Sequence, residues 1–170
     1  MLLQYQDVAN NPFAVLTAIV APAILTNASS VLVLGTSNRL GRVVDRTRIV
    51  ADDVASYDAN SPEYLSWSSQ LTALEVRAQM LIKALRLFYA ALGLFAASAL
   101  VSVAGSSAAY YGFKFGFELC AGLAILTGAS AVIGLSVGCT VMVHETRMAI
   151  QSLAEESKLR LSFHGARPPR

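Results

Sequence analysis

The residues that come nearest to a catalytic motif are His144 and Glu145. A zinc-protease helix carries a second histidine four residues after the first, so that both imidazoles can bind one metal ion. Here that position is Met148, and the motif is incomplete. The sequence also contains no glycine-rich phosphate loop. We therefore expect no catalytic residue, no metal site, no cofactor and no enzymatic activity.

A group of polar residues lies in the middle of an otherwise apolar segment. It consists of Thr26, Asn27, Ser29 and Ser30, with Pro22 one helical turn earlier. Because proline has no N–H, Pro22 leaves the carbonyl of Ala18 without its helical hydrogen bond and can kink the helix. Two interpretations stay open. The cluster lines a pore or a site between subunits, or it forms hydrogen bonds between helices and compensates for the kink.

A strip of basic residues follows this segment. It contains Arg39, Arg42, Arg46 and Arg48, with Asp45 among them. One role for the strip is to set the topology and to contact anionic lipid headgroups, at about 1 kcal/mol for each cation near the surface. The other is a specific lipid site, or a salt bridge to a neighbouring subunit through Asp45. The net charge of +2 is too small for a protein that binds nucleic acid by bulk charge.

These residues are positioned by three uncharged segments. Residues 13–35, 87–104 and 119–143 contain no Asp, Glu, Lys, Arg or His. A bilayer core of about 30 Å requires roughly 20 helical residues, so each segment is long enough, the second narrowly. The composition is 55% hydrophobic and 14% charged, whereas a soluble domain is about 25% charged. Since a helix satisfies its own backbone in lipid, the sequence predicts an all-α integral membrane protein with three spans.

The basic residues are distributed unevenly around the three segments. Twelve of the thirteen lie within residues 36–86 or after residue 143, and only Lys114 lies between the second and third segments. The positive-inside rule makes the side with twelve cations cytoplasmic. We therefore expect the N-terminus outside and the C-terminus in the cytoplasm.

The helical pattern continues beyond the spans on the cytoplasmic side. The extensions cover about 36–86 and 144–163, interrupted by a turn at 56–61, where Ser61 is a suitable N-cap residue and is followed by a proline. Residues 164–170 are expected to form a disordered tail. The whole chain is then one helical membrane domain, whose long helices form an antiparallel bundle in the cytoplasm.

Two patterns predict close packing of these helices. An apolar seam in the second helix repeats at intervals of three and four residues, as in a coiled coil. The seam comprises Tyr64, Trp67, Leu71, Leu74, Ala78, Leu81, Leu85, Phe88, Leu92 and Phe95. In the third span, Gly134 and Gly138 form a small-xxx-small pair that permits close helix approach.

Several short motifs resemble those of a known family. They are the run APAIL at 21–25, the step Asn38-Arg39-Leu40, and Arg42, Asp45 and Arg48 after it. With the long second helix that enters another span, they make the chain similar to DUF2721, a bacterial membrane-protein family of unknown function. The resemblance covers about residues 13–140. It implies the same topology and a bacterial inner membrane, and it transfers no activity and no site.

Two functional hypotheses follow. In the first, the chain is a non-enzymatic homo-oligomer, and the assembly can enclose a pore lined by the first span. In the second, it is an accessory or scaffold subunit that docks on a larger membrane complex with the same surfaces. Three spans are few to enclose a site within one chain, so we expect association in both cases.

Overall fold

Three long helices form most of the described chain. The computed structural model describes residues 12–59 and 61–165. Within them the helices are α1 (Pro12–Ser56), α2 (Pro62–Tyr110) and α3 (Lys114–Gly165), and there is no strand. Each helix is long and apolar enough to cross a membrane. The prediction of an all-α chain with three candidate spans is confirmed for this part of the chain. The cytoplasmic bundle, the coiled coil and the limits of the spans stay predictions.

The turn between α1 and α2 is closed by the residue that the sequence predicts as a cap. The backbone N–H of Tyr64 donates to Oγ of Ser61 at 3.1 Å, and the N–H of Ser61 donates to the carbonyl of Asp58 at 2.9 Å. The serine oxygen satisfies one of the N–H groups that the first turn of a helix leaves without a partner. Pro62 follows as the first helical residue, where the missing N–H costs nothing.

The end of α2 depends on Gly112. Its φ of +75° is a left-handed conformation that glycine adopts without the steric cost of a β-carbon. The N–H of Gly112 donates to the carbonyl of Ala109 at 3.0 Å, and the N–H of Phe113 to the carbonyl of Ala108 at 2.9 Å. This pair of bonds satisfies the last carbonyls of the helix. It extends α2 to Tyr110, six residues beyond the predicted end of the second span.

The C-terminal end of α3 is also later than expected. The helix includes His164 and Gly165, the first two residues of the predicted disordered tail. The rest of that tail, residues 166–170, lies outside the described residues.

The helices contribute to two compact units. As far as they are described, the first unit contains residues 12–35 and 85–138, and the second contains residues 36–59, 61–84 and 139–165. The prediction of a single domain stays a prediction.

The core of the first unit is small and draws on all three helices. Ala91, Phe95 and Ala131 are buried and pack against Leu25, Leu94 and Leu135. Across the most apolar windows of the three helices, only 6–22% of the residues are buried within the chain. A soluble protein does not expose apolar surface on this scale, so the surface is suited to lipid or to neighbouring membrane helices.

Within the first unit, α2 and α3 are in close contact at Gly138. A methyl group at position 138 would lie 2.5 Å from Cε1 and 2.9 Å from Cδ1 of Phe88, whose side chain is fully buried. A methyl group at Gly134 would lie 3.9 Å from the carbonyl oxygen of Leu87, an ordinary contact. The two glycines of the small-xxx-small pair are therefore not equivalent, because only Gly138 leaves no room for a β-carbon.

The second unit has its own apolar core. Its fully or largely buried apolar residues are Val43, Val50, Leu81 and Ala84. The seam residues Trp67, Leu71 and Leu74 are half-buried. Thr36 is buried as well, with Oγ1 3.8 Å from the sulfur of Met142.

Gly138→Ala should destabilise the protein by about 1–3 kcal/mol, because the added methyl group forces the buried ring of Phe88 out of its position. The measurement is thermal unfolding in detergent, followed by circular dichroism. Gly134→Ala is the matched control and should unfold at the wild-type temperature or above it. Adding Phe88→Leu to Gly138→Ala should recover part of the loss. Equal stability of the two alanine variants would contradict the assigned contact.

Candidate functional site

A buried carboxylate is the most unusual polar feature of the second unit. The side chain of Glu145, on α3, is only 3% exposed. An isolated ionised carboxylate is very costly to remove from water, so a buried one is expected to have charged or hydrogen-bonding partners. Glu145 has two arginines as partners.

The first partner is Arg77 on α2. Its Nε lies 3.0 Å and its Nη2 2.9 Å from Oε1 of Glu145, so two N–H groups of one guanidinium converge on a single oxygen. The Arg77 side chain is 21% exposed. Short, charge-assisted hydrogen bonds of this kind are about twice as strong as neutral ones, and burial reduces their screening by salt.

The second partner is Arg39 on α1. Its Nη1 lies 3.7 Å from Oε2 of Glu145 and donates a hydrogen bond to Oγ1 of Thr146 at 3.1 Å. The hydroxyl of Thr146 in turn donates to the carbonyl of Met142 at 2.9 Å. Because the Arg39 side chain is 46% exposed, its contribution to neutralising Glu145 is the weaker of the two.

An open cavity of about 400 Å³ lies beside this cluster of charges. Its charged lining residues are Arg39, Arg42, Arg46, Arg77 and Glu145. Its other lining residues are Val43, Leu74, Thr146, Ala149 and Ile150. The lining therefore has an excess of three positive charges beside an apolar wall, an arrangement that attracts an anion.

Only part of the predicted basic strip lines this cavity. Arg39, Arg42 and Arg46 line it, because residues spaced by three and four share one face of a helix. Asp45 and Arg48 are exposed and do not line it. The ion pairs at this cavity join Arg39 and Arg77 to Glu145. Whether Asp45 pairs with a neighbouring subunit stays a prediction.

The residues of the predicted polar cluster in α1, which belongs to the first unit, also differ in burial and in hydrogen bonding. Ser29 is buried and its hydroxyl donates to the carbonyl of Leu25 at 2.8 Å. Ser30 is exposed and donates to the carbonyl of Thr26, which is half-buried, at 3.0 Å. Asn27 is exposed, and its amide has no hydrogen-bond partner among the described residues. The hydroxyls of Ser29 and Ser30 are thus satisfied within their own helix, and the amide of Asn27 is not.

The sequence interpretation missed Arg77 and Glu145. A usable signal for Glu145 was its register, since buried positions of α3 recur every seven residues at Ala131, Gly138 and Glu145. Positions seven apart lie on nearly the same face of a helix, so the small-residue face of the third span leads directly to the carboxylate. Arg77 had no comparable signal, because it lies between the seam positions Leu74 and Ala78.

The described ranges contain no group of three or more His, Cys, Asp or Glu residues that could hold a metal ion. His144 is exposed, and Met148 is half-buried at the position where a zinc-protease helix has its second histidine. Cys120 and Cys139 are both free thiols.

Comparison with known proteins gives a family without an assigned activity. The family model described as "Protein of unknown function (DUF2721)" matches residues 19–155, which is most of the chain. No curated protein and no solved structure matches the chain.

Arg77→Met should lower the free energy of unfolding by about 3 kcal/mol or more, because it leaves Glu145 buried without its principal partner. Thermal unfolding in detergent measures the change. Arg48→Met is the matched control, since Arg48 is exposed and outside the cluster, and it should have no measurable effect.

The double variant Arg77→Met with Glu145→Leu should recover most of that loss, because apolar residues of similar volume can replace a buried ion pair at little cost. A double variant that is no more stable than Arg77→Met alone would show that the arginine acts by packing and not through its charge.

Proposed function

Because the chain belongs to the DUF2721 family, which is described only as a protein of unknown function, we propose its function from its own residues. The chain is a non-enzymatic, multi-pass protein of the bacterial inner membrane that associates with further copies of itself through α1. Its cytoplasmic side carries the helical extensions and the C-terminus, as the distribution of basic residues favours.

The exposed amide of Asn27 is the observation that carries this proposal. Asn27 lies eight residues before Gly35, the end of the first uncharged segment, or about 12 Å along the helix. Apart from Ser30, its neighbours on the same exposed face are apolar: Leu16, Val20, Ala23 and Leu34. A polar group without a partner in hydrocarbon costs several kcal/mol, so this face is suited to another protein surface and not to lipid.

A second copy of the chain provides a suitable partner for Asn27. A carboxamide carries both donors and acceptors, so two Asn27 side chains from neighbouring copies can bond to each other. Interhelical hydrogen bonds of this kind contribute about 1–2 kcal/mol in model peptides. The apolar residues along the same face supply the remaining contact area.

The pore is the finer part of the proposal. Ser29 is turned into its own chain and Thr26 is half-buried, so the polar lining that α1 can offer is limited to Asn27 and Ser30. A channel lined by α1 would then be narrow and largely apolar, with a ring of amides at one level. Apolar constrictions of this kind gate by expelling water.

The alternative role as an accessory subunit uses the same face. A foreign membrane helix with an amide or hydroxyl at the matching depth would satisfy Asn27 as well as a second copy does. The two roles predict different masses for the purified assembly.

Asn27→Leu should weaken association about tenfold, because it removes the interhelical hydrogen bond and replaces it with a group that lipid solvates equally well. The measurement is the mass of the protein in detergent over a dilution series, by light scattering. The wild type should form one multimer, and Asn27→Leu should dissociate at higher concentration. Ser30→Ala is the matched control and should behave as the wild type, since that hydroxyl already bonds within its helix.

A wild-type monomer that co-purifies with other membrane proteins would reject self-association and favour the accessory role. If the multimer forms, ion flux into liposomes that contain the wild type should change in Asn27→Leu. Flux that is indifferent to this substitution would reject the pore and leave the assembly itself intact.

Labelling of single cysteines should reveal the orientation. In a background with Cys120 and Cys139 replaced by alanine, Tyr111→Cys should react with a membrane-impermeant maleimide on intact spheroplasts, and Asp58→Cys should react only after lysis. Both positions are exposed in their turns, so access depends on the side of the membrane alone. Reaction of Asp58→Cys in intact spheroplasts would overturn the proposed orientation.

A further inference from the structure

We propose that the arginine-lined cavity of the second unit binds a phosphate group, carried either by an anionic lipid headgroup or by a soluble phosphate ester. The site involves none of the residues through which α1 is proposed to self-associate, so its test is independent of that proposal.

The lining of the cavity has an excess of positive charge. Four guanidinium groups and one carboxylate line a cavity of about 400 Å³. The single carboxylate already receives two N–H groups of Arg77 on Oε1 and lies beside Arg39 through Oε2. In the described part of the chain, Arg42 and Arg46 form no ion pair. The positive charges of these arginines repel one another, and an anion bound between them would offset that repulsion.

The arginines that line the cavity come from two helices. Arg39, Arg42 and Arg46 occupy one face of α1, and Arg77 approaches the same cavity from α2. A guanidinium presents a planar fork of donors that matches the oxygens of phosphate. Several guanidinium groups that approach from two helices can donate hydrogen bonds to several phosphate oxygens at once, which isolated surface arginines cannot do.

Glu145 has the role of a positioning residue in this site. Its buried carboxylate holds the guanidinium of Arg77 through a hydrogen bond from Nε at 3.0 Å and an ion-pair contact with Nη2 at 2.9 Å. Fixing that side chain in advance reduces the rotamer entropy lost when a ligand binds. Arg42 and Arg46, which are exposed, remain available to contact the ligand.

One wall of the cavity is apolar. Val43, Leu74, Ala149 and Ile150 line it beside the arginines, so the site accepts carbon next to phosphate, as in an ester. Arg39 follows the uncharged segment 13–35 by four residues, and Glu145 follows 119–143 by two. These separations are about 6 and 3 Å along a helix, a depth at which lipid phosphates are available.

The test compares two phosphate sources on the full-length protein. In nanodiscs of phosphatidylcholine, a fraction of the lipid is replaced by phosphatidic acid, and retained lipid is counted by native mass spectrometry. In a second arm without phosphatidic acid, glycerol 3-phosphate is titrated, and the gain in thermal stability reports binding. Phosphatidic acid or glycerol 3-phosphate should bind the wild type, and Arg42→Gln with Arg46→Gln should weaken that binding about tenfold or more.

The matched control is Arg48→Gln with Arg86→Gln. Both arginines are exposed and lie outside the cavity lining, and the loss of two positive charges is the same. This control should change affinity by less than about twofold. Arg46→Gln alone provides a second variant with a smaller change, should the double substitution lower expression.

The outcomes separate the sources. Retention of phosphatidic acid without a response to glycerol 3-phosphate supports a lipid headgroup, and a response to glycerol 3-phosphate supports a soluble ester. Equal losses in the cavity variant and in the control would show attraction by surface charge only and would overturn the proposal. Failure of both ligands to bind the wild type would overturn it as well.

Discussion

The second unit depends on one requirement, that a charge removed from water must be paired. Glu145 is 3% exposed, and its carboxylate is stable there only because Arg77 and Arg39 reach it from the two other helices. Sliding α2 by one turn would move Arg77 about 5 Å along the axis and leave the carboxylate without a partner, at a cost of about 3–5 kcal/mol. The ion pair therefore selects one register among the several that an apolar interface would permit.

Most of the fold could be predicted from the sequence because its signals are local. The three charge-free segments predict the helices, and Ser61 and the proline after it predict where α2 begins. The end of α2 could not be located from the sequence. Nothing in the sequence distinguishes Gly112, which has a left-handed backbone conformation, from the glycines inside the helices. The site was predicted only in part, as the spacing of Arg39, Arg42 and Arg46 is visible within one helix. The pairing of Arg77 with Glu145 joins residues 68 positions apart, and only the packing of the helices brings them together.

The polar residues of the first unit separate into two kinds by the reach of their side chains. Several serine and threonine hydroxyls return to a carbonyl of the preceding turn, as Ser29 does to Leu25 at 2.8 Å and Ser102 does to Ser98 at 2.8 Å. Such residues are satisfied within one helix and require no partner chain. A carboxamide has two donors and an acceptor that one turn of helix cannot serve together, which is why Asn27 requires another surface.

The two units are stabilised by different physical means. Lipid solvates an apolar side chain as well as another helix does, so apolar area by itself does not hold helices together in a membrane, and close fit must do so. The contact of Gly138 with Phe88 in the first unit meets that condition, since no β-carbon fits between them. The second unit has an apolar core as well, and it adds the paired charges of Glu145, Arg77 and Arg39. A change of side-chain volume should therefore lower stability most in the first unit, and a change of charge should lower it most in the second. Comparing substitutions of the two kinds is then a direct way to assign a loss of function to one unit.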